Sequence, residues 1–362
     1  MFLHRWSVVL FGLLVGTANA QGPRPRAKEA DITKVAPKPL LEMRHQGEVV
    51  SVAFSPDGKI LAAGCSGFHC VCLWDTVTGK LLRKIEGDTV GTCPAFSPDG
   101  KLLAVVCNWR QDQEGNIVQL FDPATGKLVR RIAGHGKLAR AVAFSPDGKH
   151  LATNSEDKTA RVWEVATGKE LRRFQTPAGP GHVIAFSPDG KVLGFDDGYS
   201  VRLVDPIGGK GLFQLTGHRD VDYGSGSSSG YLNGIAFSAD STRLVSASCD
   251  HTARIWDVRR GVALQVLRGH RHFVNAAAFT RGGLTVLTAG EDGTVRVWDT
   301  ATGKQVKEVS AHLLGPRTDG DTRRDVFAVV VSPDGKRVAT GGRDGLVRVW
   351  DLAALLRSGK SP

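Results

Sequence analysis

The chain has 362 residues, with 47 Lys or Arg against 36 Asp or Glu and a formal net charge of +11. Because 41% of the residues are hydrophobic and 23% are charged, the composition excludes a mostly disordered chain and a multi-span membrane protein. The 44 glycines follow no collagen period. They predict many tight turns and favour an all-β fold over a helical one.

The N-terminus has the three parts of a secretory signal peptide. Arg5 precedes the apolar run Val8 to Gly16, and the small residues of Ala18-Asn19-Ala20 follow it. The run is shorter than the roughly 20 apolar residues that a membrane-spanning helix needs. We predict that residues 1–20 are a signal peptide, cleaved after Ala20, and that the protein is exported to a periplasmic or extracellular space. An uncleaved N-terminal anchor is the alternative. The Pro-rich, basic residues 21–39 predict an extended linker.

The rest of the chain is built from repeats of the pattern Phe-Ser-Pro-Asp-Gly. The seven copies, three of them degenerate, begin at Phe54, Phe96, Phe144, Phe186, Phe237, Phe279 and Val331. Their spacings are 42, 48, 42, 51, 42 and 52, which is a base period of 42 with three insertions. A second marker follows each copy: Trp74-Asp75, Phe121-Asp122, Trp163-Glu164, Val204-Asp205, Trp256-Asp257, Trp298-Asp299 and Trp350-Asp351. A period of about 40 to 45 residues indicates a β-propeller.

With these markers and the dipeptides Gly134-His135, Gly217-His218 and Gly269-His270, the chain resembles the WD-repeat family from Leu40 to Asp351. The resemblance implies an all-β, seven-bladed β-propeller of four-stranded antiparallel blades over residues 40–352, followed by a C-terminal tail, 353–362. The last repeat has no outer strand of its own. We expect residues 40–44 to supply that strand and to close the ring.

The resemblance also implies a buried, hydrogen-bonded tetrad of His, Ser or Thr, Asp and Trp in each well-formed blade. Four blades have the complete set: His135, Thr153, Asp157 and Trp163; His218, Ser246, Asp250 and Trp256; His270, Thr288, Asp292 and Trp298; His312, Thr340, Asp344 and Trp350. A catalytic triad is disfavoured, because the same set recurs four times whereas a nucleophile needs one exposed copy.

Three blades depart from the tetrad pattern. The first has Phe68 where Asp is expected, the second has Phe121 in place of Trp, and the fourth has Val204 in place of Trp. In the fourth blade His182 also lies only four residues before Phe186. We expect these blades to be less rigid.

Five blades carry an arginine two residues before the second marker: Arg161, Arg202, Arg254, Arg296 and Arg348. An anion-binding or nucleic-acid-binding surface would fit the net charge. Structural ion pairs are favoured instead, because a repeated position usually serves the repeated fold. No nucleic-acid partner is expected.

Three insertions interrupt the period, at residues 108–116, 219–233 and 313–325. In a WD-repeat blade the corresponding connections lie on one face of the ring, so the resemblance implies that all three share a face. They carry residue types that binding hot spots favour: Trp109, Arg110, Tyr223, Tyr231, Leu313, Leu314, Arg317, Arg323 and Arg324. We predict that this face binds a protein or peptide, with Trp109 as anchor. Passive loop drift is the alternative.

Two loop motifs are weaker candidates for chemistry. Residues 226–230 match Gly-x-Ser-x-Gly, but they lie in a Ser/Gly loop without the strand and helix that a nucleophile elbow needs. Asp319, Asp321 and Asp325 could bind calcium, although neighbouring arginines neutralise their charge.

The cysteines of the first blade offer two alternatives. Cys65 and Cys70 flank a four-residue turn and should face each other across a strand pair, which predicts a disulfide bond. Cys72 and Cys107 are competing partners. Alternatively, Cys65, His69, Cys70 and Cys72 could form a soft-metal site.

Two classes of function remain. The first is an exported, monomeric, non-catalytic scaffold for protein interactions, with no cofactor and no metal. The second is a propeller enzyme, or a metal-binding or ligand-binding protein, that uses the central channel. We predict the first, because the sequence offers no convergent Asp, Glu and His set outside the tetrads.

Overall fold

We describe the protein from a computed structural model, which describes residues 37–66, 70–86, 93–106, 117–219, 231–312 and 324–357. All of them belong to one compact unit, Lys34–Pro362. Within these residues, no helix combines the length and the apolar character needed to cross a membrane.

The described residues form seven four-stranded antiparallel sheets, the blades, numbered here in chain order. Blade 1 comprises β2 (Val49–Phe54), β3 (Ile60–Cys65), β4 (Cys70–Asp75) and β5 (Leu81–Glu86). Blade 2 comprises β6 (Cys93–Phe96), β7 (Leu103–Val106), β8 (Ile117–Phe121) and β9 (Leu128–Ala133). Blade 3 comprises β10 (Ala139–Phe144), β11 (His150–Ser155), β12 (Thr159–Glu164) and β13 (Glu170–Gln175).

The remaining blades repeat this order. Blade 4 comprises β14 (Ile184–Phe186), β15 (Leu193–Asp197), β16 (Ser200–Val204) and β17 (Gly211–Leu215). Blade 5 comprises β18 (Leu232–Phe237), β19 (Arg243–Ser248), β20 (Thr252–Asp257) and β21 (Val262–Arg268). Blade 6 comprises β22 (Val274–Phe279), β23 (Thr285–Gly290), β24 (Thr294–Asp299) and β25 (Gln305–Ser310). Blade 7 comprises β26 (Val326–Val331), β27 (Arg337–Gly342), β28 (Leu346–Asp351) and, from the other end of the chain, β1 (Leu41–Arg44).

Strand β1 completes blade 7, as the sequence predicts. It pairs antiparallel with β28, with Leu41 opposite Val349 and Arg44 opposite Leu346. Met43 is 1% exposed and anchors the strand in the core. The first strands of successive blades lie side by side, and β26 of blade 7 contacts β2 of blade 1. The fold is therefore a closed seven-bladed β-propeller. We call the contact between blades 7 and 1 the closure interface.

The Ser-Pro-Asp-Gly repeats form the turns between the first and second strands of the blades. In blade 1 the Ser55 hydroxyl donates to Asp57 Oδ1 (2.6 Å) and accepts from the Ile60 backbone N–H (2.9 Å). Gly58 has a φ of +70°, a conformation that favours glycine. The recurrence of this pattern is thus explained by turn geometry.

In the blades whose third and fourth strands are consecutive in the chain, the Asp of the Trp-Asp marker serves the turn between those strands. Asp75 Oδ1 accepts hydrogen bonds from the backbone N–H groups of Val77 (2.9 Å) and Thr78 (2.6 Å). Both kinds of turn lie on the same face of the ring, because adjacent strands run antiparallel. We call the opposite face, which carries the second-to-third turns and the connections between blades, the insertion face.

The predicted C-terminal tail begins as a helix. Helix α1 (Leu352–Leu356) follows β28 directly, and Asp351 caps it by accepting from the Ala354 backbone N–H (2.7 Å). Leu355 is 2% exposed in the cluster formed by blades 6 and 7. The first residues of the segment predicted as a tail therefore form a short helix that packs on blades 6 and 7.

Candidate functional site

The tetrad side chains come together in all four blades that have the complete set. In blade 6, His270 Nδ1 lies 3.0 Å from Asp292 and Nε2 lies 2.7 Å from Thr288 Oγ1. Trp298 Nε1 donates to the same hydroxyl at 2.8 Å. Blades 3, 5 and 7 repeat the arrangement, with His Nδ1–Asp distances of 2.9 Å in each.

The donors and acceptors determine the state of the tetrad histidines. The Trp N–H can only donate, so the hydroxyl accepts from it and donates its own proton to His Nε2. The proton of the neutral ring must then be on Nδ1, where it is donated to Asp. Burial lowers the pKa of His218, which favours this neutral form. Burial also acts to raise the pKa of Asp250, but hydrogen bonds from His218 and Thr252 outweigh it and hold the pKa at about 2.

The burial of the tetrad hydroxyls indicates that the tetrads have a structural role. Thr153, Ser246 and Thr288 are 0% exposed, and each hydroxyl is held between an indole and an imidazole. A substrate has no access to such a hydroxyl, so the tetrads are not sites for nucleophilic catalysis.

The glycine before the tetrad histidine allows close approach of the tryptophan. A Cβ atom on Gly134 would lie 2.9 Å from Cη2 of Trp163, and one on Gly269 would lie 3.1 Å from the same atom of Trp298. Glycine at these two positions leaves room for the indole, whereas blade 7 has Ala311 before its tetrad histidine.

Three of the five repeated arginines bind the tetrad carboxylates. Arg161, Arg296 and Arg348 reach Asp157, Asp292 and Asp344 at 2.8, 3.3 and 2.6 Å. Arg202 lies 3.9 Å from Asp197, and Arg254 lies over the ring of Trp256. These contacts, inside the blades, favour the structural interpretation over an anion-binding surface.

Blade 1 replaces the tetrad with a different arrangement. The tetrad hydroxyl is missing, since Ala63 occupies its register position, and Trp74 Nε1 donates directly to His45 Nε2 at 2.8 Å. His45 follows β1, so it reaches blade 1 across the closure interface. This pair was not predicted from the sequence, although the number of residues from His45 to Phe54 equals that from His135 to Phe144.

Blade 4 also lacks the tetrad and contains a buried carboxylate instead. Asp196 Oδ1 accepts from the backbone N–H groups of His182 (2.9 Å) and Val183 (2.8 Å) and from Asn154 Nδ2 (2.8 Å). Burial raises the pKa of Asp196 to about 7. His182 therefore contributes its backbone, and its ring points elsewhere.

Most of the predicted partner-binding residues lie outside the described residues. This applies to Trp109, Arg110, Tyr223, Leu313, Leu314, Arg317 and Arg323. The described members are Tyr231, which is half-buried, and Arg324, which is exposed. Arg324 packs over Gly293 in a second-to-third turn of blade 6, and Tyr231 directly precedes β18, so both are on the insertion face.

Tyr231 belongs to an aromatic group that was not predicted from the sequence. Its ring stacks on Tyr199, with centroids 6.2 Å apart, and lies 5.3 Å from the ring of His182. Within the described part of the chain, buried His182 Nε2 has no hydrogen-bond partner. Burial, followed by the charge of Arg140, lowers the pKa of His182 to about 4, so the ring is neutral.

A second aromatic group lies one blade further on. The ring of His251 is 5.9 Å from Phe273 and 6.2 Å from His272, which is exposed. Tyr199 and His251 occupy the same register position, five residues before the second marker. That shared position was a signal that the sequence offered. We call the two groups together the aromatic row.

The two metal sites considered from the sequence, a calcium site and a soft-metal site, lie only partly within the described residues. Asp325, a candidate calcium ligand, instead forms a buried ion pair with Arg343 at 2.9 Å. Asp319 and Asp321 lie outside the described residues, as do His69 and Cys107. Over the ranges that the structure describes, no group of three or more His, Cys, Asp or Glu is placed to hold a metal ion.

The predicted disulfide partners do face each other. Cys65 and Cys70 are directly opposite in the β3–β4 pair, and their Sγ atoms are 3.2 Å apart as free thiols. The disulfide bond itself stays a prediction.

Repeats of this kind define a protein class. The family model described as WD domain, G-beta repeat matches residues 37–75, 126–164, 209–257, 261–299 and 303–351. These segments cover more than half of the chain, so the protein belongs to the WD-repeat family. The unmatched parts include the third strands of blades 2 and 4, where Phe121 and Val204 replace Trp. Propellers of this family are typically non-catalytic scaffolds for protein interactions.

The similarity to individual relatives is partial. The chain is 26% identical over 231 residues to WD repeat-containing protein 1 of Xenopus tropicalis, covering 62% of this chain and 29% of that protein. It is 30% identical over 119 residues to telomerase protein component 1 of Rattus norvegicus (33% of this chain, 4% of the relative). It is also 30% identical over 124 residues to nuclear distribution protein PAC1 of Arthroderma otae (33% and 27%). The chain thus spans less than a third of each of these relatives.

Proposed function

We propose that the protein is an exported, non-catalytic interaction scaffold that binds a protein partner on its insertion face. The observation that carries this proposal is the aromatic row, which lies on the face where the strands that flank the three insertions in sequence end. Tyrosines with a polar tip and an apolar ring are typical anchors at protein interfaces.

The opposite face supports this choice by contrast. Its tight Ser-Pro-Asp-Gly turns hold their polar groups in local hydrogen bonds, as at Ser55 and Asp57. Its lysines, such as Lys59 and Lys101, lie close to the carboxylates of their own turns. Exposed ion pairs of this kind contribute little binding energy.

Export is supported by residues 1–20, whose sequence predicts a cleaved signal peptide. The names of the relatives include a nuclear distribution protein, but those alignments cover only part of each chain. N-terminal sequencing of the protein from its native source should begin at Gln21. A native protein that retains residues 1–6 would contradict export by a cleaved signal.

The binding face is tested with two double variants of the mature protein. Partners captured from the envelope or secreted fraction are identified and purified, and their affinity is measured by calorimetry. Tyr199→Ala with Tyr231→Ala, and separately Trp109→Ala with Arg324→Ala, should each weaken binding by about 2 kcal/mol, or about 30-fold in Kd.

The matched control replaces lysines of the opposite face. Lys59→Ala, Lys101→Ala and Lys149→Ala together should leave the Kd unchanged, and circular dichroism should show the same fold for all variants. Loss of binding in this triple variant, with normal binding in both double variants, would place the interface on the other face.

A further inference from the structure

Blade 1 contains three thiols where other blades have tetrad-associated polar groups. Counting back from the marker tryptophan, Cys70 and Cys72 occupy the positions of Thr159 and Arg161 in blade 3. There, both side chains hydrogen-bond to Asp157. The third thiol, Cys65, stands directly opposite Cys70. The cysteines therefore replace a polar network in the hairpin that joins β3 and β4.

We propose that Cys65 and Cys70 are an oxidative modification site, forming a disulfide bond that stabilises the β3–β4 hairpin at the closure interface. This inference is independent of the insertion face and its partner. The reaction partner is a molecule that carries a disulfide bond, such as oxidised glutathione or an oxidised dithiol protein.

Strand geometry selects this pair among the three thiols. Directly opposite residues in an antiparallel pair have Cα atoms about 4.5–5.5 Å apart, within the range of about 4.4–6.8 Å that disulfides require. Cys65 and Cys72 are diagonal neighbours, at about 7–8 Å. Cys70 and Cys72 are two residues apart on one strand, which places the distance between their Cα atoms close to the upper limit of the range for disulfides. The observed Sγ–Sγ distance of 3.2 Å for Cys65 and Cys70 agrees with this selection.

The position of the three thiols at the closure interface explains how a disulfide bond would stabilise the fold. Cys65, Cys70 and Cys72 are 0%, 1% and 6% exposed, and they share a hydrophobic cluster with Met43 of β1 and with Val347 of β28. The bond would thus stabilise the blade against which the closing strand packs. Because the thiols are buried once the ring has closed, oxidation takes place in a folding intermediate in which the strands of blade 1 are paired and the closure interface is still open.

Cys70 is the attacking thiol. Hydrogen bonds from Cys65 and then from Cys72 lower the pKa of Cys70, and Lys84 adds a positive charge nearby. The Cys70 thiolate attacks one sulfur of the oxidant, whose disulfide bond breaks and releases one thiolate. Cys65 then attacks Cys70 Sγ, and the mixed disulfide breaks and releases the second thiolate. The protons of Cys65 and Cys70 pass to the two released thiolates, so two protein thiols are oxidised and one oxidant disulfide is reduced.

The test is refolding of the reduced, full-length chain in a buffer of oxidised and reduced glutathione. Free thiols are then alkylated under denaturing conditions, and the protein is digested without reduction by chymotrypsin, which cleaves after Phe68 between the two cysteines. We expect the Cys65 peptide to be linked to the peptide containing Cys70, with Cys72 alkylated. Fragmentation of the linked peptide identifies the bonded sulfur.

Variants separate this bond from the alternatives. Cys70→Ser and Cys65→Ser should each abolish the link, whereas Cys72→Ser should retain it. Cys249→Ser, which removes a buried thiol of blade 5, is the matched control and should also retain it. The melting temperature of the wild type should rise on oxidation, and this rise should be absent in Cys70→Ser. Recovery of alkylated Cys65 from refolded protein, or a bond from Cys72, would overturn the proposal.

Discussion

Blades 6 and 1 have the same four strands and the same Trp-Asp marker, but their buried polar groups are organised differently. In blade 6, His270 and Trp298 share the hydroxyl of Thr288, and Asp292 holds the histidine. In blade 1, the tryptophan donates directly to His45, and thiols occupy the surrounding positions. The strand order is the same in both, so the blade depends on apolar alternation and turns, and the tetrad is an additional local source of stability.

The comparison extends to blade 4, where a carboxylate is buried without a tetrad histidine. Asp250 and Asp344 have pKa values of about 2, because hydrogen bonds to His218 and His312 outweigh the effect of burial. Asp196 has a pKa of about 7, because burial outweighs its backbone hydrogen bonds. In the tetrad, hydrogen bonds keep the buried carboxylate charged, whereas burial in blade 4 favours the protonated form of Asp196.

The largest expected effect comes from removing the strand that joins blade 7 to blade 1. Deleting residues 21–45 removes β1 and His45, which exposes the edge of β28 and leaves Trp74 Nε1 without its acceptor. The loss of Met43 packing and of the strand pairing should cost about 5 kcal/mol or more. Urea denaturation measures this loss.

The control for this truncation deletes residues 21–36 only, all of which precede β1. Its stability should match that of the mature protein. Equal stability of the two truncations would show that the closing strand contributes little.

The second effect tests the tetrad of blade 6. Asp292→Ala removes the partner of His270 Nδ1, of the Arg271 backbone N–H and of Arg296, which should destabilise the protein by about 3 kcal/mol. Asp299→Ala is the control in the same blade, because this exposed carboxylate serves only a turn. Its loss of stability should be smaller. A similar loss in both variants would mean that the tetrad carboxylate is no more important than a turn residue.

The smallest effect is on pH dependence. Between the ordinary aspartate pKa of 3.8, which applies to the unfolded chain, and the folded value of about 7, Asp196 binds more protons in the folded state than in the unfolded state. Its stabilising contribution is therefore complete below the unfolded pKa and is lost as the pH rises through 7. The stability of the wild type relative to Asp196→Asn should fall with rising pH, by up to about 1.4 kcal/mol per pH unit.

A carboxylate with the opposite shift provides the control for that slope. Hydrogen bonds from Ser238 and Thr242 lower the pKa of Asp240 to about 2. Its stabilising contribution is present above the unfolded pKa and is lost as the pH falls. The stability of the wild type relative to Asp240→Asn should therefore rise with rising pH. Urea midpoints over the acidic range measure both. Parallel pH profiles for the wild type and Asp196→Asn would contradict the assigned protonation of Asp196.

Local sequence patterns were sufficient to predict much of this protein. The Ser-Pro-Asp-Gly turns, the Asp75 turn and the 42-residue period depend on hydrogen bonds and backbone conformations within a few residues, so they can be read directly from the chain. The closing strand was also predictable, because the last repeat lacks one strand and residues 40–44 precede the first repeat without belonging to it.

Only the tertiary structure decided what lies between blades. Tyr199 and Tyr231 come from different blades, and their stacking depends on how the blades are packed around the ring. His45 reaches Trp74 because the closing strand ends beside blade 1, 29 residues away along the chain. Whether a buried carboxylate is charged or protonated depends on neighbours supplied by other strands, as for Asp250 and Asp196. A repeat determines its own turns and strands, whereas contacts between repeats arise only when all seven blades close into one ring.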